Sequence, residues 1–204
     1  MIRNLLRPLA YLAIGHRQKW RVDWLYPAVL AVATTVLLFL LKLIGNVQFY
    51  GEGGMVARVL SFVQGLPGFY IAALAAIATF NRPDIDKTMP APAPRIDIQV
   101  QGHNVEIELT RRRFLCLMFA FLTAESLIII ILAILAQSAA VPIKALMHDS
   151  LRQYASALFI FIFSLIFWQM VVATFWGLFY LGDRLHQPDS NAVQQSASLD
   201  VPRD

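Results

Sequence analysis

One cysteine, Cys116, in 204 residues leaves no intrachain disulfide and no metal site of cysteine type. Charge is scarce too: Asp, Glu, Lys and Arg make up 15% of the chain against 58% hydrophobic residues, where a soluble domain carries about a quarter charged and about half apolar. A water-soluble globular protein is thereby excluded. The four histidines, His16, His103, His148 and His186, are nowhere spaced as a metal pair. GEGG at 51–54 has neither the preceding strand nor the following Lys-Ser of a phosphate loop, and no Ser-centred nucleophile motif occurs. The sequence therefore predicts a non-enzymatic protein that needs no cofactor.

What the chain has in abundance is long apolar blocks, and its mean hydropathy is +0.59. Four blocks, at 24–45, 57–80, 114–136 and 155–181, each supply the ~20 residues that cross a ~30 Å hydrocarbon core. They are apolar on all faces, whereas barrel strands alternate over ~10 residues, so helices are the expected form. The predicted class is an all-α integral membrane protein with four transmembrane helices and a β-hairpin between the second and third.

Basic residues flanking the spans set the orientation. Arg3, Arg7, Arg17, Lys19 and Arg21 precede the first span, and Arg82, Lys87, Arg95, Arg111, Arg112 and Arg113 fill the 81–113 connection. With Arg184 and Arg203 in the tail these are thirteen of the seventeen cations, leaving Lys42, Arg58, Lys144 and Arg152 for the other side. Both termini and the middle loop are therefore expected in the cytoplasm, and the net charge of +4 reads as a topology signal, not as direct nucleic-acid binding. Arg7 and Pro8 interrupt the first apolar stretch, which lacks a small-residue cleavage site, so no secretory signal is read. Residues 1–23 instead suit an interfacial amphipathic segment, with Ile2, Leu5, Leu6, Leu9 and Leu12 on one face and Trp20 and Trp24 at the headgroups. The tail, 182–204, is polar and expected to be disordered.

The connection at 81–113 opens with a proline-rich extended stretch and then alternates strictly in IDIQV and VEIEL, a hairpin signal. A four-residue connection, Gln101 to Asn104, would set Val100 against Val105, Ile98 against Ile107 and Ile96 against Leu109. The opposite face would hold Asp97, Gln99, Glu106 and Glu108, with Asp97 across from Glu108, an unfavourable like-charge pair unless a cation is near. A lone hairpin is marginal in water, so its apolar face is expected either to dock a partner, another subunit or a soluble effector, or to lie on its own membrane. Arg111, Arg112 and Arg113 are expected to hold the junction at the headgroups.

Inside the blocks the polar residues are few. Glu125 falls halfway along the third span, Gln169 at comparable depth in the fourth and Gln64 in the outer third of the second. An ionisable group at that depth faces the bundle interior with a partner, so a Glu125–Gln169 hydrogen bond is expected, with an ion pathway or a conformational switch as the alternatives. Lys42 can snorkel to the headgroups. Gly68, Ala72 and Ala76 recur every four residues and allow close helix approach, while Pro67 should bend the second span. That span is expected in the interior or at an oligomer interface, and the Phe-rich fourth span at the periphery.

Taken together, GLPGFYIAALAAIATF leading into NRPDIDKTMPAP, the hairpin, and LTRRRFLCLMFAFLTAESL resemble the membrane subunit of the Kiwa anti-phage defence system. The likeness spans roughly residues 64–127 and rests on the general layout with the PGFY and TRRRF stretches. It implies a bacterial inner-membrane homo-oligomer, a tetramer, that senses phage arrival and works with a cytoplasmic effector. The expected function is thus a non-enzymatic membrane sensor and scaffold, with an oligomeric channel, a proton-coupled transporter or a membrane-permeabilising effector as the alternatives.

Overall fold

The computed structural model describes residues 6–16, 19–45, 47–79, 83–89, 93–100, 103–146 and 148–184. The expectations for Ile2, Arg3, Leu5, Arg17 and the tail beyond Arg184 lie outside the described residues, as do those for the side chains of Ile98, Gln99 and Val100. A short 3-10 helix, Arg7–Ala13, precedes a π-helical turn, Arg21–Leu25, that runs straight into α1, Tyr26–Ile44. Then come α2, Met55–Val63, α3, Leu66–Thr79, the single turn α4, Pro83–Asp86, and strands β1, Arg95–Val100, and β2, His103–Glu108. The two longest helices follow, α5, Arg111–Leu146, and α6, Asp149–Phe179.

Four of the described helical stretches, Arg21–Ile44, Met55–Thr79, Arg111–Ile143 and Leu151–Gly182, are long and apolar enough to cross a membrane. The second of these is divided at Gln64–Gly65, because Pro67 cannot donate back to the preceding turn and is tolerated only near the start of a new helix. The first is apolar even where nothing covers it: Leu43 and Ile44 are 84% and 86% exposed and Val29, Val36 and Leu40 more than half exposed. A face of that kind marks a surface for lipid or for another protein.

Helix α5 is the central element. It packs against α2, α3, α6 and the N-terminal 3-10 helix, while α1 leans on α6. The order of burial differs from the sequence expectation: in the most apolar 18-residue stretch of each span, 44% of residues are buried in the third, 33% in the fourth, 17% in the second and 11% in the first. The Phe-rich fourth span is thus the second core helix, burying Ile160, Phe163, Met170 and Ala173 against α5, because its rings alternate around the helix and only some, such as Phe175, point away. Conversely Gly68, Ala72 and Ala76 are exposed, and a Cβ added at Gly68 would meet nothing within 4 Å. The small-residue stripe faces away from this chain's own core, and Gln64 is exposed with it.

One close helix approach occurs elsewhere, where Gly177 of α6 meets α5. A Cβ there would lie 2.5 Å from the Cε of Met118, which is itself fully buried. Gly177→Ala is expected to change stability by less than about 1 kcal/mol, because the colliding Cε is the far end of a flexible methionine and alanine regains about 1 kcal/mol of helix propensity over glycine. Combined with Met118→Ala it should cost less than the two single changes together, since the colliding methyl is gone. Thermal unfolding of the four proteins in one detergent measures both quantities.

The hairpin forms where its alternation placed it, with a different register. Ile96 pairs with Ile107, Asp97 with Glu106, Ile98 with Val105 and Val100 with His103, so the connection is two residues long, Gln101–Gly102, and the expected pairing is displaced by two. The parity of the strands is unchanged, so the same residues share each face. Nor is the apolar face left bare at its base: Ile96 is 7% exposed and Leu109 fully buried, both in the core with Tyr11 and Ile14.

Candidate functional site: a buried charge cluster beneath a hairpin platform

Two polar systems meet at the hairpin end of the bundle. The upper one is a platform of backbone hydrogen bonds. Gly15 and Arg95 exchange a pair of bonds of 3.0 and 3.3 Å, so the N-terminal segment pairs with β1 at that strand's first residue. Thr88 bridges to Thr110, Leu109 N–H donates to the Pro94 carbonyl at 3.0 Å, and Arg111 N–H to the Lys87 carbonyl at 3.1 Å. The Thr110 hydroxyl accepts from the Arg113 N–H at 3.3 Å and caps α5 as threonine does at a helix start. N-terminal segment, hairpin and α5 are thereby fastened together.

The triple arginine contributes unequally. Arg111 is buried and Arg113 exposed. Arg112 grips Asp86 with Nε to Oδ1 at 2.6 Å and Nη2 to Oδ2 at 2.9 Å, a bidentate pair, and its Nη1 donates to the carbonyls of Ile77 and Ala78 at 2.9 and 3.1 Å. These are end carbonyls of α3, where a cation is favoured. A common headgroup role for the three is therefore replaced, for two of them, by internal contacts. The hydrogen bond from Arg112 holds the Asp86 carboxyl below its ordinary value, with the arginine's charge acting in the same direction. A carboxyl so depressed stabilises the fold above the ordinary aspartate range, and that contribution is lost as pH falls through the lowered value. Acid titration of wild type and Asp86→Asn should show the variant insensitive over that step, read by hydrogen exchange at the Arg111 and Ile77 amides.

On the outer face of the hairpin Asp97 stands opposite Glu106, not Glu108. The cation such a like-charge pair requires is present, since Arg95 reaches Glu106 at 3.5 Å and Glu108 at 3.4 Å from the same face. Toward the tip the apolar face opens, with Val105 43% exposed and Ile107 half-buried.

The lower system lies inside the bundle and centres on Asp23, which the sequence reading passed over as part of the interfacial segment. Asp23 is 4% exposed and sits in the π-helical turn, a widened helix form that recurs at functional sites. Lys19, one turn earlier, pairs with its carboxylate, and both side chains are largely buried. The Tyr11 hydroxyl donates to Asp23 Oδ1 at 3.3 Å. The Lys19 ammonium also lies 4.0 Å from the centre of the Tyr11 ring, a cation–π contact. That ring stacks on Phe121 at 5.0 Å and tilts against Phe114 at 6.1 Å, so the N-terminal segment packs into the bundle rather than along a surface. Burial first, and then the Asp23 charge, pushes the Tyr11 phenol far above its usual value, leaving a neutral donor. Burial lowers Lys19, opposed by its bond to Asp23.

Glu125, the fifteenth residue of α5, is 3% exposed. Neither carboxylate oxygen has a hydrogen-bond partner among the described residues, although Asp23, Tyr11 and Tyr70 are within its electrostatic reach. The expected bond to Gln169 is not made. Gln169 donates instead to the Asp23 main-chain carbonyl at 2.9 Å, because similar depth on two helices does not give two side chains the same azimuth. Tyr70 turns to Thr174 at 2.7 Å. Among the described residues no three His, Cys, Asp or Glu side chains converge as metal ligands. Of the residues singled out from sequence, the site thus unites Glu125 and Gln169 around Asp23 and leaves Gln64 outside it. The missed members carried one readable signal, the i, i+4 spacing of Lys19 and Asp23. Comparison of the chain with protein-family models, with curated proteins and with solved structures finds no match.

Proposed function

We propose that this protein is a non-enzymatic scaffold of the bacterial inner membrane, both termini cytoplasmic, that assembles as a homo-oligomer and docks a cytoplasmic effector on its hairpin. The observation that carries this reading is the platform itself. β1 is bonded to the N-terminal segment, β2 leads into capped α5, and the segment's Tyr11 reaches Asp23 inside the bundle. A change in helix packing at Asp23 and Glu125 has a packed route to the base of the hairpin at Ile96 and Leu109, which is what a membrane sensor needs. The exposed Val105, the acidic residues Asp97, Glu106 and Glu108 beside it, and the edges at Ile98 and Val100 form the proposed docking surface. The basic residues of the N-terminal segment and loop support the orientation. The outward stripe of Gly68, Ala72 and Ala76 supports contact between subunits. The likeness to the Kiwa membrane subunit supports a place in anti-phage defence.

Mild-detergent affinity purification from the native host, with intact mass analysis, tests the reading. A stoichiometric soluble protein is expected on the wild-type oligomer. It should be lost on Val105→Asp and on the Asp97→Lys, Glu106→Lys double change, with the oligomer itself retained. An oligomer that carries nothing, or a companion indifferent to both changes, overturns the docking surface. The bare carboxylate of Glu125 favours a second reading, an oligomeric ion pathway. Under it, Glu125→Gln would abolish ion flux in liposomes while leaving assembly intact.

A further inference from the structure

At the end of the bundle away from the hairpin, the last turns of α5 and the first turns of α6 enclose a crevice of about 290 Å³. Four alanines, Ala136, Ala139, Ala140 and Ala155, make the depression. Leu132, Leu135 and Phe159 wall its deep end, where the Tyr50 ring tilts against Phe159 at 5.9 Å, and Ser156 and then Arg152 lead to its other end. Ser156 and Tyr50 hydrogen-bond to each other, so their polar groups answer one another. Arg152 contributes a side chain exposed to the surroundings. Its guanidinium carries five N–H donors in a planar fork that suits phosphate oxygens even where one edge is already engaged.

The dimensions and polarity are those of half a bilayer. From Leu132 to Ile143 the lining of α5 rises about 16 Å at 1.5 Å per residue, close to one leaflet's share of a ~30 Å hydrocarbon core. Along that length the wall passes from mostly apolar to cationic, and Arg152 lies one residue inside the start of the fourth candidate span, where a spanning helix would meet the headgroups. A helix face directed to lipid is normally filled out by side chains. Here alanines leave a furrow and the arginine stands at its outer end.

We propose that this crevice binds one anionic phospholipid, with an acyl chain lying along the alanines between α5 and α6 and the headgroup phosphate on Arg152. Phospholipids of both charge types contain a phosphate and an acyl chain. The cationic mouth selects the one with net negative charge, because a zwitterionic headgroup brings its own ammonium to the arginine.

The test uses the full-length protein in nanodiscs of equimolar phosphatidylglycerol and phosphatidylcholine, released for native mass spectrometry. Wild type is expected to retain one phosphatidylglycerol in about five-fold preference to phosphatidylcholine, the effect of one interfacial arginine. Arg152→Ala should lose the preference, Arg152→Lys should keep most of it, and Ala139→Leu, which fills the furrow and leaves the charge, should reduce retention of both lipids. Equal retention of the two lipids by wild type overturns the proposal. So does an unchanged preference in Arg152→Ala, or displacement of the lipid by millimolar inorganic phosphate, which would make the site one for the free ion. Because the lysine and leucine variants act on different parts of the site, a fold lost in one of them leaves the other decisive.

Discussion

Asp23→Ala should destabilise the protein by about 3–5 kcal/mol, the effect of removing one partner from a buried ion pair. The carboxylate that disappears holds the Lys19 ammonium and accepts from the Tyr11 hydroxyl, and both groups sit largely shielded from water. The neutralised pair, Asp23→Ala with Lys19→Met, should recover most of the loss, because a buried ion pair and an apolar pair of similar volume differ far less than a pair and a lone charge. The single variant should also show a steeper pH dependence than wild type, of known sign. Burial already holds Lys19 below the ordinary lysine value, and without Asp23 only the contact with the Tyr11 ring opposes it. Between the lowered value and the ordinary one the unfolded chain binds more protons than the folded chain, so stability rises with pH across that interval. Unfolding by detergent titration, followed by tryptophan fluorescence at several pH values, reads the loss, the recovery and the slope.

Glu125→Leu should act in the opposite direction. A buried polar group with no hydrogen-bond partner costs about 1–3 kcal/mol in proteins, and both oxygens of Glu125 are in that state among the described residues. Leucine fills the same volume between Leu122 and Ile129, which are fully buried on the same helix, and is expected to raise stability by that amount in the same titration. A residue that lowers stability where it stands is retained for what it does. The variant should therefore be the more stable protein and the poorer one in effector capture or ion flux. A drop in stability would show that Glu125 holds the bundle together.

The contrast between these two acids shows what can be read from a sequence and what cannot. The four apolar blocks marked four long apolar helices, although the third helix runs on to Leu146, ten residues past the end of its block at 136, and the alternation in IDIQV and VEIEL marked the hairpin, because both signals are periodic and local. Pro67 gave the break in the second span for an equally local reason. The register of the hairpin was not local in that sense. Gln101-Gly102 and Gln101 to Asn104 are both short connections with turn residues, and both keep the same faces together. Only the pairing of Val100 with His103 separates them. Glu125 stood out because an acid in an apolar block is conspicuous, whereas Asp23, only two residues beyond Arg21, was hidden among charges. Its burial depends on contacts with Tyr11 and Gln169, which are 12 and 146 residues away in sequence. The mistaken partner for Glu125 and the outward turn of Gly68, Ala72 and Ala76 share one cause. Depth along a helix can be counted from the sequence, but rotation about its axis is set by neighbours.

The bond from Gln169 to the Asp23 carbonyl also sets a schedule for the protein's birth. Translation at about 5–20 residues per second separates the two residues, 146 apart in the chain, by roughly 7–30 s. During that interval the first helix has emerged with its local partners, Lys19 and Tyr11, while Phe121 follows part-way through it and Gln169 only at its end. The closing piece is the last long helix, so a ribosome that stalls in the loop before Asp149 leaves an open, acid-bearing intermediate.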